Sequence, residues 1–419
     1  FTYPHMFVFE KYGRIEPRWN FASLIMSVLM TIIAGVTHAE DAHPRFDYGE
    51  ISGVFEPPNT RDGYLNFGRL GRAYDDYAAW KSQVSQSTGL SWFIEDRMIL
   101  QSGRDSDIAD NELNLIGRYE FARASPSSWS INVWGQFANT LGNTTQSKFQ
   151  SELGVLSPLN GGNSGPDKSN DILQMLALEY INPNETLRFQ VGKLAIRTLM
   201  NLNRYAHGDS DSFFSPMLGN NPVVPYTAFL GLGAFGQYRA DNWYLSGLVR
   251  APDTELGLST SAWKDGSREY IVEAALTPTI PNLGYGEYRL TWSRLEENGS
   301  LPRVDTFSLS ADQDLGDRLG GFIRYSNADD TFRDFRKRIA AGLIVKRPLG
   351  FEYDRVGLGA WHGTPADGSL GSEKGVEVFY RAQVSPFLQI TPDIQIVFDP
   401  ANSNRSSEVI LGLRLRVEL

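Results

Sequence analysis

The sequence predicts an all-β fold, a membrane-spanning antiparallel β-barrel of about 16 strands with a short N-terminal helix. Three observations support this prediction. Residues Val409 to Leu419 alternate strictly, with aliphatic side chains at every second position and two arginines and a glutamate among the residues between them. Successive side chains of a strand point to opposite faces, so one face of this segment is wholly aliphatic. The same period of two continues along most of the chain, and tight turns alternate with long polar loops.

The composition fits a barrel and argues against several other classes of protein. Mean hydropathy is -0.30 and 41% of residues are hydrophobic, as expected where only half of each strand faces lipid. Aromatic residues make up 12%, which suits aromatic girdles at two interfaces and would equally suit a secreted carbohydrate-binding β-sandwich. The chain has no cysteine, which excludes disulfides and thiolate metal sites. The net charge of -10 argues against nucleic acid as a partner. We expect no metal and no cofactor.

Residues 1–39 predict a cleavable signal peptide. Basic residues precede an apolar run at 21–36, and Thr37–Ala39 then offers a small-x-small cleavage site. A single membrane anchor is the alternative, but the run of about 16 residues is shorter than the roughly 20 that a spanning helix needs. The sequence therefore predicts export to the outer membrane of a Gram-negative cell.

The rest of the chain divides into two further regions. Residues 40–87 are predicted to form a periplasmic lead-in that ends in a helix at 69–87, where apolar side chains recur at helical spacing. Residues 88–419 are predicted to form the barrel. Its sixteen candidate strands are 89–101, 112–123, 128–140, 172–182, 186–196, 226–240, 242–251, 268–278, 284–295, 304–314, 318–327, 336–346, 353–362, 375–384, 387–398 and 408–419.

Two long connections, 142–171 and 200–225, are predicted to fold inward and narrow the pore. The second of them carries aromatic and small residues, which indicates packing rather than a solvated tether. Long loops in compact folds are usually functional or disordered.

The inward face is predicted to interleave arginine, carboxylate and amide side chains. A ring of one charge sign would select ions, whereas a mixed lining offers hydrogen bonds to neutral hydroxyl groups. Inward aromatics such as Trp134 and Phe379 could stack on sugar rings. Mixed charges also fill the lumen of most porins, where many are paired with each other. The candidate pore-lining residues are Glu95, Arg97, Arg118, Glu120, Trp134, Gln136, Glu179, Arg188, Arg289 and Arg381, with Gln190, Glu287, Arg324 and Glu377 on the same predicted face.

The sequence offers little for an enzyme. His207 lies in a His-Gly-Asp-Ser-Asp-Ser run, so a serine or a carboxylate is nearby in sequence. A nucleophile and its base must meet in space, with a third group orienting the base, and one loop histidine does not establish this arrangement. We interpret His207 as a packing residue, and no motif typical of metalloproteases, serine hydrolases or nucleotide binding is present.

The C-terminal strands resemble those of the carbohydrate-selective porin (OprB-type) family. The resemblance lies in residues 380–400 (YRAQVSPFLQITPDIQIVFDP) and 411–417 (LGLRLRV), and in Val191–Leu194 before a long loop. It implies a sixteen-stranded outer-membrane barrel that passes monosaccharides such as glucose by diffusion, with inward loops and a constriction lined by arginine and glutamate. The sequence departs from the pattern at Leu419, where such barrels usually have Phe, and in the Gly/Ser/Asn-rich 142–171 loop.

We therefore predict a porin for sugars or similar small neutral solutes, embedded in outer-membrane lipid as a monomer or homotrimer. One alternative is a channel for another small solute or an exported polysaccharide, and a net positive constriction would favour an organic acid. An outer-membrane hydrolase using His207 and a secreted carbohydrate-binding β-sandwich are the alternatives from other classes.

Overall fold

The computed structural model describes residues 46, 54, 61–65, 67–121, 127–161, 169–208, 212–224, 230–253, 257–297, 302–329 and 333–419. Sixteen long strands run through these residues. They are β1 (Leu90–Ser102), β2 (Asp107–Glu120), β3 (Ser128–Thr140), β4 (Ser169–Ile181), β5 (Leu187–Lys193), β6 (Leu232–Arg239), β7 (Trp243–Arg250), β8 (Glu269–Leu276), β9 (Gly284–Leu295), β10 (Val304–Asp314), β11 (Leu319–Ala328), β12 (Phe335–Lys346), β13 (Arg355–Pro365), β14 (Glu373–Ser385), β15 (Leu388–Phe398) and β16 (Ser407–Glu418).

The strands form one closed antiparallel barrel. Each strand pairs with the next in sequence, and β1 pairs with β16 from Glu95 opposite Glu418 to Ser102 opposite Leu411. A two-residue strand, Thr279–Ile280, pairs with the start of β9 and lies outside the wall. Closure leaves no unpaired edge, which is the condition for strands to cross a bilayer. The predicted fold class is confirmed.

Burial alternates along the strands as the sequence predicts. In β3, Ser130, Asn132 and Gln136 are buried, whereas Ile131 and Val133 are exposed. The outward side chains are mostly apolar and the inward ones mostly polar, which is the pattern of a barrel with lipid outside and a polar lumen.

Nine predicted strands agree with the structure to within one residue at both ends, but β5 and β6 are shorter than predicted. The sequence predicted strands at 186–196 and 226–240, whereas β5 ends at Lys193 and β6 begins at Leu232. Leu194 and Ala195 leave the wall because they are buried inside the barrel, against side chains of the inward face.

The two rims differ in the length of their connections. At the rim where the odd-numbered strands begin, the connections are short, such as 182–186, 240–242 and 386–387. We name this the short-turn rim. The opposite rim carries the long connections, including 141–168 and 194–231, and we name it the long-loop rim. Outer-membrane barrels place short turns toward the periplasm.

Five helical segments accompany the barrel in the described part of the chain. Helix α1 (Arg69–Thr88) lies at the short-turn rim, and it confirms the helix predicted at 69–87. The long connections carry α2 (Gln146–Leu153), a 3-10 turn (Ile196–Thr198), α3 (Pro216–Gly219) and α4 (Ser261–Lys264). In the part of the chain that the structure describes, no helix is both long and apolar enough to cross a membrane.

The apolar cores lie inside the barrel. Phe213, Met217 and Leu218 pack against inward side chains such as Phe322 and Phe379. A second cluster joins the 194–200 segment to inward side chains of β1 to β4 and β6 to β8. The described residues of both long connections thus fold inward, as predicted. The predicted signal peptide, residues 1–39, lies outside the described residues.

Candidate functional site

The first group of lumen charges is centred on Glu179 of β4. Its carboxylate pairs with Arg118 of β2 and with Nε of Arg188 on β5 at 2.8 Å, and it also accepts a hydrogen bond from Gln190 at 2.5 Å. β5 pairs with β4, and only β3 separates β4 from β2, so alternation brings these side chains to one patch of wall. One carboxylate therefore compensates two guanidinium groups.

A second set of ion pairs continues this wall toward β16. Nη2 of Arg97 lies 2.9 Å from Oε1 of Glu112, on the adjacent strand. Nε of Arg416 donates to Oε2 of Glu95 at 2.5 Å, across the seam where β1 meets β16. Each arginine again has a carboxylate partner on a neighbouring strand.

Trp134 belongs to β3 of this wall, and its ring is covered rather than open to the lumen. Its Nε1 donates to Oδ1 of Asn114 at 2.8 Å, and only 1% of its surface is exposed. The guanidinium group of Arg197, from the 3-10 turn, covers the ring with its carbon 4.7 Å from the ring centroid. Gln136 extends the network, since it donates to Asn114 at 3.2 Å and accepts from Gln174 at 2.7 Å.

A further group of charges occupies the inward faces of β8 to β10. Arg289 pairs with Glu287 on its own strand and with Asp312 at 2.8 Å on the next. Among the described residues no arginine forms an ion pair with Glu273, which accepts hydrogen bonds from the hydroxyls of Tyr244 at 3.0 Å and Thr291 at 2.7 Å. Neutral donors therefore satisfy part of this acidic wall.

The long connection after β5 reaches this second group. Nε of Arg204 donates to Asp312 at 2.5 Å, and its Nη2 donates to the carbonyl of Tyr285 at 2.8 Å. Burial by itself lowers the pKa of Arg204, but the charge of Asp312 outweighs burial and the pKa is raised above its ordinary value. The guanidinium group therefore remains charged at any pH at which the barrel would work.

Tyr205 locks the same turn of the loop against the wall. Its hydroxyl donates to Asp314, which also accepts from Nζ of Lys346 at 2.6 Å. Burial, followed by the hydrogen bond to Asp314, raises the pKa of Tyr205. A Cβ on Gly320 would lie 2.2 Å from the tyrosine ring, so only glycine at this position of β11 leaves room for it.

Polar side chains of β11, β12, β14 and β16 hold the rest of the loop by its backbone. Glu377 accepts the N–H groups of Phe214 at 2.5 Å and of Ser215 at 3.0 Å. Three arginines donate to loop carbonyls: Arg324 to Ala206 and Asn201, Arg338 to Met217 and Asn220, and Arg414 to Ser212. These inward groups anchor the loop.

The structure brings eight of the ten candidate lining residues to the wall formed by β1 to β5. Glu120 is at the end of β2 and accepts from Ser128 at 3.1 Å. Arg289 belongs to the second group, and Arg381 lies near the short-turn rim, with Nη2 3.4 Å from the carbonyl of Tyr353. Phe379 is covered by Phe213, edge to face at 5.0 Å, so it packs the loop and is not open to a sugar ring.

Arg197 and Arg204 were absent from the candidate residues, because strand alternation assigns no face to a loop residue. The prediction that 200–225 folds inward was the available signal, and it gave the direction of the segment without its contacts. The sequence placed Arg416 on the charged face of the last strand. It did not identify the partner of Arg416, Glu95, which is 321 residues away.

His207 does not form a catalytic arrangement with the described residues. Its Nε2 is 2.7 Å from the carbonyl oxygen of Arg197, and the neighbouring residues 209–211 are outside the described part of the chain. No group of three or more histidine, aspartate or glutamate side chains suited to a metal ion occurs among the described residues.

Comparison with known proteins agrees with this geometry. Residues 288–419 match the model of the family described as carbohydrate-selective porin, OprB family. The resemblance to carbohydrate-selective porins is confirmed. The chain is 24% identical over 282 residues to Porin AaxA of Chlamydia pneumoniae, an alignment that covers 61% of each chain. The chain thus spans about three fifths of the length of that curated relative.

Two solved structures share the architecture of this OprB-like barrel. The high-pH structure of Pseudomonas putida OprB has a TM-score of 0.70 at 12% identity, covering 82% of this chain and 97% of that one. The low-pH structure of the same protein has a TM-score of 0.54 with the same identity and coverage. At this identity the likeness concerns the fold alone.

Proposed function

We propose that the chain is an outer-membrane porin through which neutral sugars, monosaccharides such as glucose among them, diffuse into the periplasm. The observation that carries the proposal is the interleaving of opposite charges on each wall of the lumen. Arg97 with Glu112, Arg188 with Glu179, and Arg416 with Glu95 are all neighbours at 2.5 to 2.9 Å.

Such pairing has a consequence for selectivity. A strong field across a pore requires the positive and negative groups to stand on opposite sides, whereas a ring of one sign selects one kind of ion. Here the partners belong to adjacent strands, so most of their fields cancel within a few ångströms. An ion then leaves bulk water without a compensating field, while a sugar can exchange hydrogen bonds with amides and charged groups.

The match to the carbohydrate-selective porin family supports a sugar as the solute, and the similarity to Porin AaxA supports a porin. Localisation in the outer membrane, a cleaved signal peptide and a monomeric or homotrimeric state belong to the same proposal. A channel is favoured over a hydrolase because His207 bonds to backbone and the apolar outer wall suits lipid.

Liposome swelling with the purified, folded protein tests this function. Glucose, larger disaccharides and a charged solute of glucose size are compared at equal osmolarity. We expect fast swelling with glucose and slow swelling with the charged solute. Equal rates for all solutes would indicate a general porin, and no swelling from a folded barrel would overturn the proposal.

A substitution sharpens the test. Glu179→Gln removes the carboxylate that compensates Arg118 and Arg188 and leaves an excess of positive charge on that wall. We expect the entry of an anionic solute to rise relative to glucose. Glu297→Gln, in an exposed connection, is the matched control and should leave the ratio unchanged. Equal ratios for both variants would contradict charge compensation as the basis of selectivity.

A further inference from the structure

The chain passes over the short-turn rim before helix α1. Arg61 pairs with Glu418, which faces the lumen at the end of β16. Gly63 then crosses the rim so closely that a Cβ would lie 2.3 Å from Cα of Ser385, and only glycine fits there. Beyond it, the ring of Tyr64 meets Phe351 of the β12–β13 turn, edge to face at 4.1 Å. The segment 61–65 thus runs from a lumen residue to the rim.

Helix α1 then lies against the outer wall of the barrel. Trp92 faces outward on β1. It lies between the inward residues Ser91 and Phe93, and side chains alternate along the strand. Its Nε1 donates to the hydroxyl of Tyr77 at 2.8 Å, and its ring meets Trp80 edge to face at 5.3 Å. Contacts with an outward side chain place Tyr77 and Trp80 on the side of the wall that faces lipid, whereas Ser85, further along the helix, meets the inward Ser91 at the rim with 2.7 Å between the hydroxyl oxygens.

The helix has three distinct faces. The face toward the barrel carries the buried Tyr74, Ala78 and Lys81. An apolar stripe follows the spacing i, i+3, i+7, i+10 and i+14, and consists of Leu70, Ala73, Tyr77, Trp80 and Val84. The remaining face carries Arg72, Asp75, Asp76, Gln83 and Gln86. A helix with separate apolar and polar faces outside its packed face is suited to the plane of a membrane interface.

We propose that α1 is an interfacial helix, and that its partner is the phospholipid of the leaflet at the short-turn rim. The stripe is left open by the protein, with Leu70 57% and Trp80 54% exposed. It is continuous with the barrel's apolar wall through the Trp80–Trp92 contact. Leu349 and Phe351, on the same rim, add exposed apolar surface at 71% and 47%. Tryptophan and tyrosine are the side chains enriched where a bilayer meets water.

The depth of two helix positions tests the proposal. The chain has no cysteine, so Trp80→Cys and Gln86→Cys each carry one nitroxide label, the first on the apolar stripe and the second about 120° away on the polar face. Leu290→Cys, on the lipid face of β9, reports insertion of the barrel. The labelled proteins are folded into phosphatidylethanolamine–phosphatidylglycerol liposomes, and collision with oxygen is compared with collision with a water-soluble nickel complex.

We expect the labels at 80 and 290 to collide mainly with oxygen and the label at 86 mainly with nickel. Equal nickel access at 80 and 86, with the label at 290 protected, would overturn the proposal and leave the barrel inserted. Protection at 80 that depends on protein concentration would identify a second copy as the partner and would also overturn it.

Proteolysis gives a second measurement that does not depend on a label. Leu70→Ser should speed trypsin cleavage at Arg69 and Arg72 in liposomes. The matched serine substitution on the polar face, Gln83→Ser, should leave the cleavage rate unchanged. Heat-modifiable migration on gels confirms that each variant retains its barrel. An unchanged rate for Leu70→Ser would count against lipid contact along the stripe.

Discussion

Arg204 holds the inward loop to the wall of β9 and β10, and its loss should widen the lumen on that side. The guanidinium group donates to Asp312 at 2.5 Å, to the Tyr285 carbonyl at 2.8 Å and to Asp314 at 3.3 Å. The guanidinium group takes the place of water at the Asp312 carboxylate, because the side chain of Asp312 has no exposed surface.

The magnitude follows from these three contacts. A hydrogen bond between charged partners contributes about 1.5 to 3 kcal/mol and a typical neutral one about 1 kcal/mol. The contact with Asp314 is partly exposed and adds only about 0.2 to 1 kcal/mol. Arg204→Ala should therefore weaken docking of this turn by about 3 to 5 kcal/mol, which is roughly a 150- to 4,000-fold change in its equilibrium constant.

Single-channel conductance and liposome swelling measure the consequence. The variant should show a larger conductance and faster swelling with trisaccharides, with little change for glucose. Arg303→Ala is the matched control, because Arg303 is 53% exposed and pairs only with Asp305 near the long-loop rim. If Arg204→Ala keeps the conductance and size limit of the unsubstituted protein, Arg204 does not set the width of the lumen.

Two further predictions concern stability and pH. Glu377→Ala removes the acceptor of the Phe214 and Ser215 N–H groups, and each buried group left without a partner costs about 1 to 3 kcal/mol. Denaturant unfolding should show this loss, whereas Glu352→Ala, at an exposed turn, should be silent. Burial, opposed by Glu418, lowers the pKa of Lys81 from 10.5 to about 8. The undocked helix therefore binds more protons between pH 8 and 10.5, so docking of α1 should strengthen as pH rises through that window. A nitroxide on α1 should report this change, and Lys81→Met should abolish it; a pH response that survives the substitution would show that another group titrates.

Most of the barrel could be predicted from the sequence, because alternation is a local property. The side-chain period of a strand is two, so the alternation of apolar and polar residues assigns both faces of a strand without knowledge of the neighbouring strands. Strands β3, β9 and β10 match their predicted bounds at both ends. The ends of β5 and β6 were missed because the chain leaves the wall there to bury Leu194 and Ala195, a gain that depends on residues elsewhere in the barrel.

The candidate site was less predictable. The inward face of Glu179 follows from its strand, but its pairing with both Arg118 and Arg188 depends on the order of β2 to β5 in the wall. Trp134 was assigned to the lumen as a ring that could stack on sugars, but in the structure it packs under Arg197. The path of the loop after β5 is what places the Arg197 guanidinium group over the Trp134 ring.

The sequence by itself determined that sixteen strands alternate between a lipid face and a polar face, and that long connections gather at one rim. These properties follow from the backbone period and from turn residues, which act over a few positions. The tertiary structure decided which charges meet, how deep Arg204 and Tyr205 enter, and that α1 lies against the outside of β1. Those contacts join residues up to several hundred positions apart, and closure of the barrel together with the inward path of the loop after β5 brings them together.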